Sequence, residues 1–350
     1  MNDTPIATAE LAPGYVVSRL VKGGWQLAGG HGAVDRTAAL ADMAAYVEAG
    51  ITTFDCADIY TGVEELIGDF RRSAPAASRE ALKVHTKFVP DLSVLQQIDR
   101  AHVQEIIDRS LQRLGTERLD LVQFHWWDYA APAWLEVAGW LVELQQAGKI
   151  DLIGGTNFDT PHTKRMLAAG VPLRSMQVQY SLLDDRPARH MSALCAAHGL
   201  HLLCYGTVAG GLISEHWLGA VEPVGMLENR SLTKYKLIID EAGGWDWFQA
   251  LLAALAGIAG RHGTDIASVA SRWVLDLPQV AAVIVGVRNR AHLDRHRRVF
   301  ALTLDAADHA AIAAVLSQRS PLRGDVYALE RDREGRHGRI MRYNESDART

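Results

Sequence analysis

The sequence predicts an α/β fold: eight parallel strands, each followed by a helix, closed into a single (β/α)8 TIM barrel. Three observations carry this. Short β-rich runs alternate with amphipathic helical patterns from one end of the chain to the other. No strand is followed by the G-x-G-x-x-G that a nucleotide-binding open sheet would carry. The 350 residues, 48% hydrophobic and 22% charged, are enough for one large packed domain.

The elements follow in order. A first strand at 16–21 runs into Gly23, Gly24 and Trp25. The stretch "DRTAALADMAAYVEAG" has an N-cap at Asp35, an apolar face of Leu40, Met43, Ala44 and Val47, and a stop at Gly50. A second strand, 52–55, ends on Asp55 with Tyr60 just beyond, and a third, 84–87, ends on Lys87. "RAHVQEIIDRSLQRLG" repeats the helical design, with Val103, Ile106, Ile107, Leu111 and Leu114 on one face and Gly115 to end it. The fourth strand, 119–124, leads to His125, Trp126 and Trp127, and the fifth, 152–154, to Thr156 and Asn157. The sixth, 175–178, carries Gln177. The seventh, 202–205, ends on Tyr205, and the eighth, 281–285, leads to Gly286, Arg288 and Arg290. Residues 206–248, rich in Gly and Trp, separate the seventh strand from its helix and read as a lid, a binding loop or a disordered segment. The barrel is expected to span about 15–317, with a charged tail over 318–350.

Composition narrows the function. A net charge of −5 gives no electrostatic case for nucleic acid. Three cysteines (Cys56, Cys195, Cys204) with no C-x-x-C pair argue for a reducing compartment rather than a disulfide framework. The N-terminus has no basic-then-apolar signal pattern, and no apolar run reaches the roughly 18 residues of a membrane span. The expectation is a cytoplasmic protein with no membrane partner; the sequence is silent on oligomeric state.

In such a barrel the chemistry sits at the C-terminal ends of the strands. Each residue there has a structural reading of its own: Asp55 as a helix cap, Lys87 as a snorkelling lysine, His125 as a satisfied histidine, Tyr205 as a core aromatic. Together an acid, a lysine, a histidine and a phenol on one rim suit proton transfer. Asp55 would keep Lys87 charged, Lys87 would lower the pKa of the Tyr60 phenol, and His125 would donate to a carbonyl oxygen or share the relay. There is no H-x-H after the first strand and no H-E-x-x-H, so no metal is expected, and no G-x-S-x-G marks a serine hydrolase. A Schiff-base aldolase using Lys87 is disfavoured, since a carboxylate partner keeps the amine protonated.

"GGWQLAGG", "GITTFDCADIYTGVEELIG", "KVHTKF", "RLGTERLDLVQFHWWD", "IGGTNF", "MQVQYSLLD", "LLCYGTVAGGLIS" and "VAAVIVGVRNRAHL" fall in order over about 15–300. With them the chain resembles the aldo/keto reductase superfamily. The resemblance implies reversible hydride transfer between NAD(P)H and an aldehyde or ketone, with Asp55, Tyr60, Lys87 and His125 as the tetrad and Tyr60 as general acid. It implies that Asn157 holds the nicotinamide carboxamide, assisted by Gln177 and by Thr156 where serine is more usual, and that Tyr205 stacks on the ring. Gly206, Thr207, Ala209, Gly210 and Leu212 would lie along the pyrophosphate, and Gly24, Trp25, Asp55 and Gly286 would border the cofactor. Arg288 and Arg290 would clamp a 2′-phosphate despite the nearby Asp294, favouring NADPH/NADP+ with NADH/NAD+ as the alternative. Trp25 and Trp126, with Tyr60 and His125, would line the pocket of an apolar or ring-containing carbonyl substrate. Cys56, where threonine is common, and His216, where many relatives carry lysine, depart from the pattern. The alternatives are an NAD-dependent sugar or alcohol dehydrogenase running oxidatively, and a cofactor-sensing subunit without turnover.

Overall fold

A computed structural model describes residues 4–28, 34–225 and 227–344. The chain opens with an antiparallel hairpin, β1 (Thr8–Ala12) and β2 (Tyr15–Ser18). Its turn is Pro13-Gly14, with Gly14 at φ +78°, a conformation glycine takes without steric cost. Eight parallel strands follow: β3 (Leu20–Gly23), β4 (Thr53–Asp55), β5 (Lys83–Phe88), β6 (Leu119–Phe124), β7 (Ile150–Thr156), β8 (Leu173–Gln179), β9 (His201–Tyr205) and β10 (Val280–Gly286). Each pairs with the next, and β10 pairs with β3 to close the barrel.

The strand expected at 16–21 merges two elements. Tyr15–Ser18 folds back onto β1, the Ser18 hydroxyl donates to the Leu20 carbonyl (2.7 Å), and the barrel strand starts only at Leu20. The hairpin packs Leu11, Tyr15 and Val17 against Val21, Leu121, Leu203 and Ala282, so apolar burial seals the N-terminal end of the barrel. Polar chemistry is left to the other rim.

The two outer helices read from the sequence form, the first on the expected cap Asp35 and the second on Asp99, a cap the sequence reading did not name. Asp35 accepts from the Ala38 amide (3.1 Å) to start Arg36–Glu48, and Asp99 from the His102 amide (2.8 Å) to start Arg100–Leu114. Between barrel and helices lies a core that includes Phe54, Phe88, Phe124 and Phe158. The segment after β9 is more ordered than a loop: it holds the helix Arg230–Ala242, and the next, Gly244–His262, begins before position 248.

The tail is not a separate appendage. Leu322, Val326 and Tyr327 are buried, and a short helix, Ala328–Arg331, lies across the C-terminal rim. Asp325 accepts from the Thr160 amide (2.9 Å) on one side; on the other, the Leu92 amide donates to the Tyr343 carbonyl (2.9 Å). Positions 345–350 of the tail, and Gly29 and Gly30 of the first glycine-rich motif, lie outside the described residues.

Candidate active site

β4 is three residues long and ends on Asp55. Its carboxylate receives donors from three other strands, so it points into the barrel. Lys87 Nζ donates to Oδ2 (2.5 Å) and to the Cys56 carbonyl (2.8 Å). Oδ1 accepts from the side-chain amides of Gln123 (2.9 Å) and Gln177 (2.6 Å). Both oxygens are thus satisfied, which a buried charge requires. Tyr60, on the turn after β4, places its ring centroid 5.0 Å from Lys87 Nζ and 5.2 Å from Trp25, which meets it edge-on.

Burial alone would pull the Lys87 ammonium down, but Asp55, and then the Tyr60 phenol, outweigh it and hold Lys87 protonated above its usual value. For Tyr60 the balance is reversed from the sequence expectation. Burial raises the phenol more than Lys87 lowers it, so the closed site holds Tyr60 in its acid form. His125 is pushed down to about 3 by burial and then by the Arg331 guanidinium, and is neutral. Its Nδ1 lies 3.1 Å from the Thr156 carbonyl. A carbonyl oxygen only accepts, so Nδ1 carries the proton and Nε2 is left as an acceptor. With the Nδ1 proton engaged by the Thr156 carbonyl, neutral His125 offers the pocket only Nε2, as an acceptor.

The residues expected to hold the cofactor are on the same rim, with differences. The Asn157 side-chain oxygen accepts from the Tyr205 hydroxyl (2.8 Å), leaving its NH2 as the donor end; the residue sits at φ +61°, which asparagine tolerates. Gln177 is committed elsewhere: its NH2 serves Asp55 and Gln123 Oε1 (2.8 Å). Thr156 is buried. Gly206 and Gly210 do not leave open backbone, because a Cβ there would come within 2.5 Å and 3.2 Å of the Tyr235 side chain. Thr207 turns its hydroxyl to Ser271 (3.3 Å), and Ala209 and Leu212 are buried, so what these three could offer a ligand is backbone. Gly24 is required by the strand beside it: its amide donates to the Asp55 carbonyl (2.7 Å), and a Cβ would come within 2.8 Å of that oxygen. At Gly286 a Cβ would run into the Gln26 side chain. Arg288 and Arg290 are exposed after β10, and Arg290 Nε lies 3.6 Å from Asp42, a carboxylate on the first outer helix.

Trp126 does not line the pocket. Gln123 and His125 point inward, so Phe124 and Trp126 point outward by strand alternation. Trp126 is 0% exposed, packed on Phe124, with its indole N–H on the Asp128 (2.9 Å) and Ala131 (3.2 Å) carbonyls. The rings against His125 are Trp127 (4.3 Å, 86°) and Tyr327 (5.7 Å, 90°). Trp25 is 38% exposed and meets the Tyr60 ring edge-on. Sequence reasoning missed Gln123, which the same period-2 reading would have found, and Tyr327, which lies some 200 residues downstream of His125.

Comparison with known proteins agrees with this architecture. The model of the aldo/keto reductase family matches residues 19–317. The chain is 31% identical over 257 residues to flagellar radial spoke protein 5 of Chlamydomonas reinhardtii, covering 63% of this chain and 49% of that protein; it spans about half of that relative's length. It is 24% identical to the NADH-specific methylglyoxal reductase of Escherichia coli, covering 88% of this chain and 96% of that one. A solved glycerol dehydrogenase from Gluconobacter oxydans shares the fold, with a TM-score of 0.74 at 23% identity over 93% of this chain and 98% of that one.

Proposed function

The chain belongs to the aldo/keto reductase family of oxidoreductases, and on that premise we propose that it reduces an aldehyde or ketone to an alcohol, with Tyr60 as the proton donor. The observation that carries this is the buried Asp55–Lys87 pair set beneath the Tyr60 ring. A nicotinamide cofactor, when bound, supplies the hydride. The residues at hand fit one: the Tyr205–Asn157 hydrogen bond sets an aromatic face and an amide NH2 side by side at the rim. Tyr60 gives its proton to the carbonyl oxygen. The fixed Lys87 ammonium stabilises the phenolate that remains, and Asp55 keeps that ammonium charged and oriented. His125 keeps Nε2 as a neutral acceptor for the alcohol. Arg288 and Arg290, adjacent on the rim beyond β10, favour NADPH over NADH.

Tyr60→Phe removes the acid and nothing else. Turnover of any carbonyl compound is expected to fall at least about a hundredfold, the usual contribution of a general acid, while NADPH affinity measured by tryptophan fluorescence stays within about twofold. Near-wild-type turnover in this variant would sink the assignment.

A further inference from the structure

The tail carries a carboxylate to a place where a buried arginine and a partly buried lysine meet. Glu330 is 1% exposed and lies 3.3–3.4 Å from the Arg186 guanidinium and 3.5 Å from Lys234 Nζ. Arg186 is held closer by Asp184, at 2.7 and 2.9 Å. The four charges cancel only with the tail in place: Arg186 and Lys234 against Asp184 and Glu330. Burial opposes the Glu330 charge, yet Arg186 and Lys234 hold its carboxyl down at about 2.

The positions beside Glu330 reach the active site. Arg331 Nη2 donates to the carbonyls of Asn157 (2.6 Å) and Trp126 (3.2 Å), just past the ends of β7 and β6. Its guanidinium lies 4.3 Å from the Tyr129 ring centroid and 5.3 Å from that of Tyr327. Tyr327 stands perpendicular to the His125 ring while at φ +59°. A bulky residue keeps that left-handed conformation only where its surroundings enforce it. Lys234 Nζ lies 5.1 Å from the Tyr205 ring centroid and 5.5 Å from that of Tyr327, linking the tail to the rim.

We propose that Glu330 is a positioning residue: seated between Arg186 and Lys234, it holds the strained turn that lays Tyr327 on His125, so the C-terminal segment builds the wall of the carbonyl pocket. The proposal rests on the tetrad being a hydride-transfer site. The ion cluster suits the role because a charged pair in a buried setting fixes one register for the segment, and Tyr327 needs one register to meet a single imidazole. The tail touches the cofactor side through Arg331 on the Asn157 carbonyl and, by way of Glu330's partner Lys234, at the Tyr205 ring. The Asn157–Tyr205 side-chain hydrogen bond itself involves no tail residue, so loss of the Glu330 carboxylate should fall more heavily on the carbonyl pocket than on the cofactor.

The test compares wild type with Glu330→Gln, Glu330→Ala, Tyr327→Ala and Tyr327→Phe, using benzaldehyde as substrate and NADPH titration for the cofactor. In Glu330→Gln and Tyr327→Ala the KM for benzaldehyde should rise at least about tenfold while the NADPH Kd moves less than about threefold, whereas Tyr327→Phe, which keeps the ring, should behave as wild type. Sodium formate should restore the KM of Glu330→Ala by filling the carboxylate's seat, a response that general loosening of the fold would not give. Hydrogen exchange of the amides at 326–331 should quicken in Glu330→Gln and slow again in Glu330→Ala with formate. An unchanged KM, equal losses of cofactor and carbonyl binding, or unchanged exchange at 326–331 would each overturn the proposal. A wild type that reduces no carbonyl compound, with the exchange response intact, would remove the hydride-transfer reading and leave the seating of Glu330 supported.

Discussion

Replacing Lys87 by methionine leaves Asp55 buried with two neutral amide donors and no counter-charge. Breaking a buried ion pair from one side typically costs ~3–5 kcal/mol, because the remaining charge is stranded. Lys87→Met is therefore expected to lower Tm markedly and to abolish carbonyl reduction. The double variant Asp55→Asn/Lys87→Met removes both charges, and stability should largely return while activity does not. Thermal melts and turnover of the three proteins measure this directly. Recovery of activity in the double variant would mean that the ion pair is scaffolding and that Tyr60 needs no cation beneath it. The glutamines matter here as well: Gln123 and Gln177 can turn their amides to a neutral asparagine at position 55, so the double variant need not leave an unsatisfied group.

At the end of β10, Arg290 has a rival for any phosphate, since Asp42 lies 3.6 Å from its guanidinium. With 66% of the side chain exposed, that pair is weak, and a phosphate can displace it. Arg290→Ala should weaken NADPH about tenfold, the ~1.4 kcal/mol of one charge-assisted contact, and leave NADH unchanged. Fluorescence titration with both cofactors decides it, and equal losses would show that Arg290 does not read the 2′-phosphate. This strand was legible in the sequence, as were six of the seven other barrel strands, because β-branched runs bounded by glycines and capped helices leave little choice of element. The placement of Asp55, Tyr60, Lys87 and His125 on one rim was legible for the same reason: each sits at or just past a strand end. What escaped was tertiary. The Pro13-Gly14 hairpin splits a run that reads as one strand, because its register is set by packing against the barrel floor. Tyr327, Glu330 and Arg331 look like a solvated charged tail until Arg186, Lys234 and the carbonyls past β6 and β7 are brought to them by the barrel. The direction of the Tyr60 shift escaped because burial, which outweighs Lys87, is not written in the motif.

Among the described residues, burial pushes the pKa of three imidazoles well down: His85 inside the barrel, His125 on its rim and His296 on the helix Leu293–Ala301, beside Tyr46 of the first outer helix. Burial pushes them down to about 4, about 3 and about 3, respectively. Each ionises near 6.5 in the unfolded chain. Between about pH 6.5 and pH 4 these groups therefore bind protons in the unfolded state that the folded state refuses, and their contribution to stability falls as the pH drops through that window. Glu330, held near 2, loses its contribution only at lower pH, whereas burial raises the Asp58 and Glu64 carboxyls, whose proton uptake in the folded state opposes that of the histidines. One such group changes the free energy of unfolding by ~1.4 kcal/mol per pH unit, and three give at most ~4. His85 is the one to remove, because neither ring nitrogen has a hydrogen-bond partner and it stacks on the apolar face of Tyr15 at 6.2 Å. His85→Leu should cost little at pH 7.5 and should flatten the slope between pH 6 and 5 by about one proton's worth, measured by urea unfolding at a series of pH values. A slope identical to wild type would mean that His85 already takes up its proton in the folded barrel. In that case a charge sits beneath the Asp55–Lys87 pair at mildly acid pH, and the activity should fall with it over the same range.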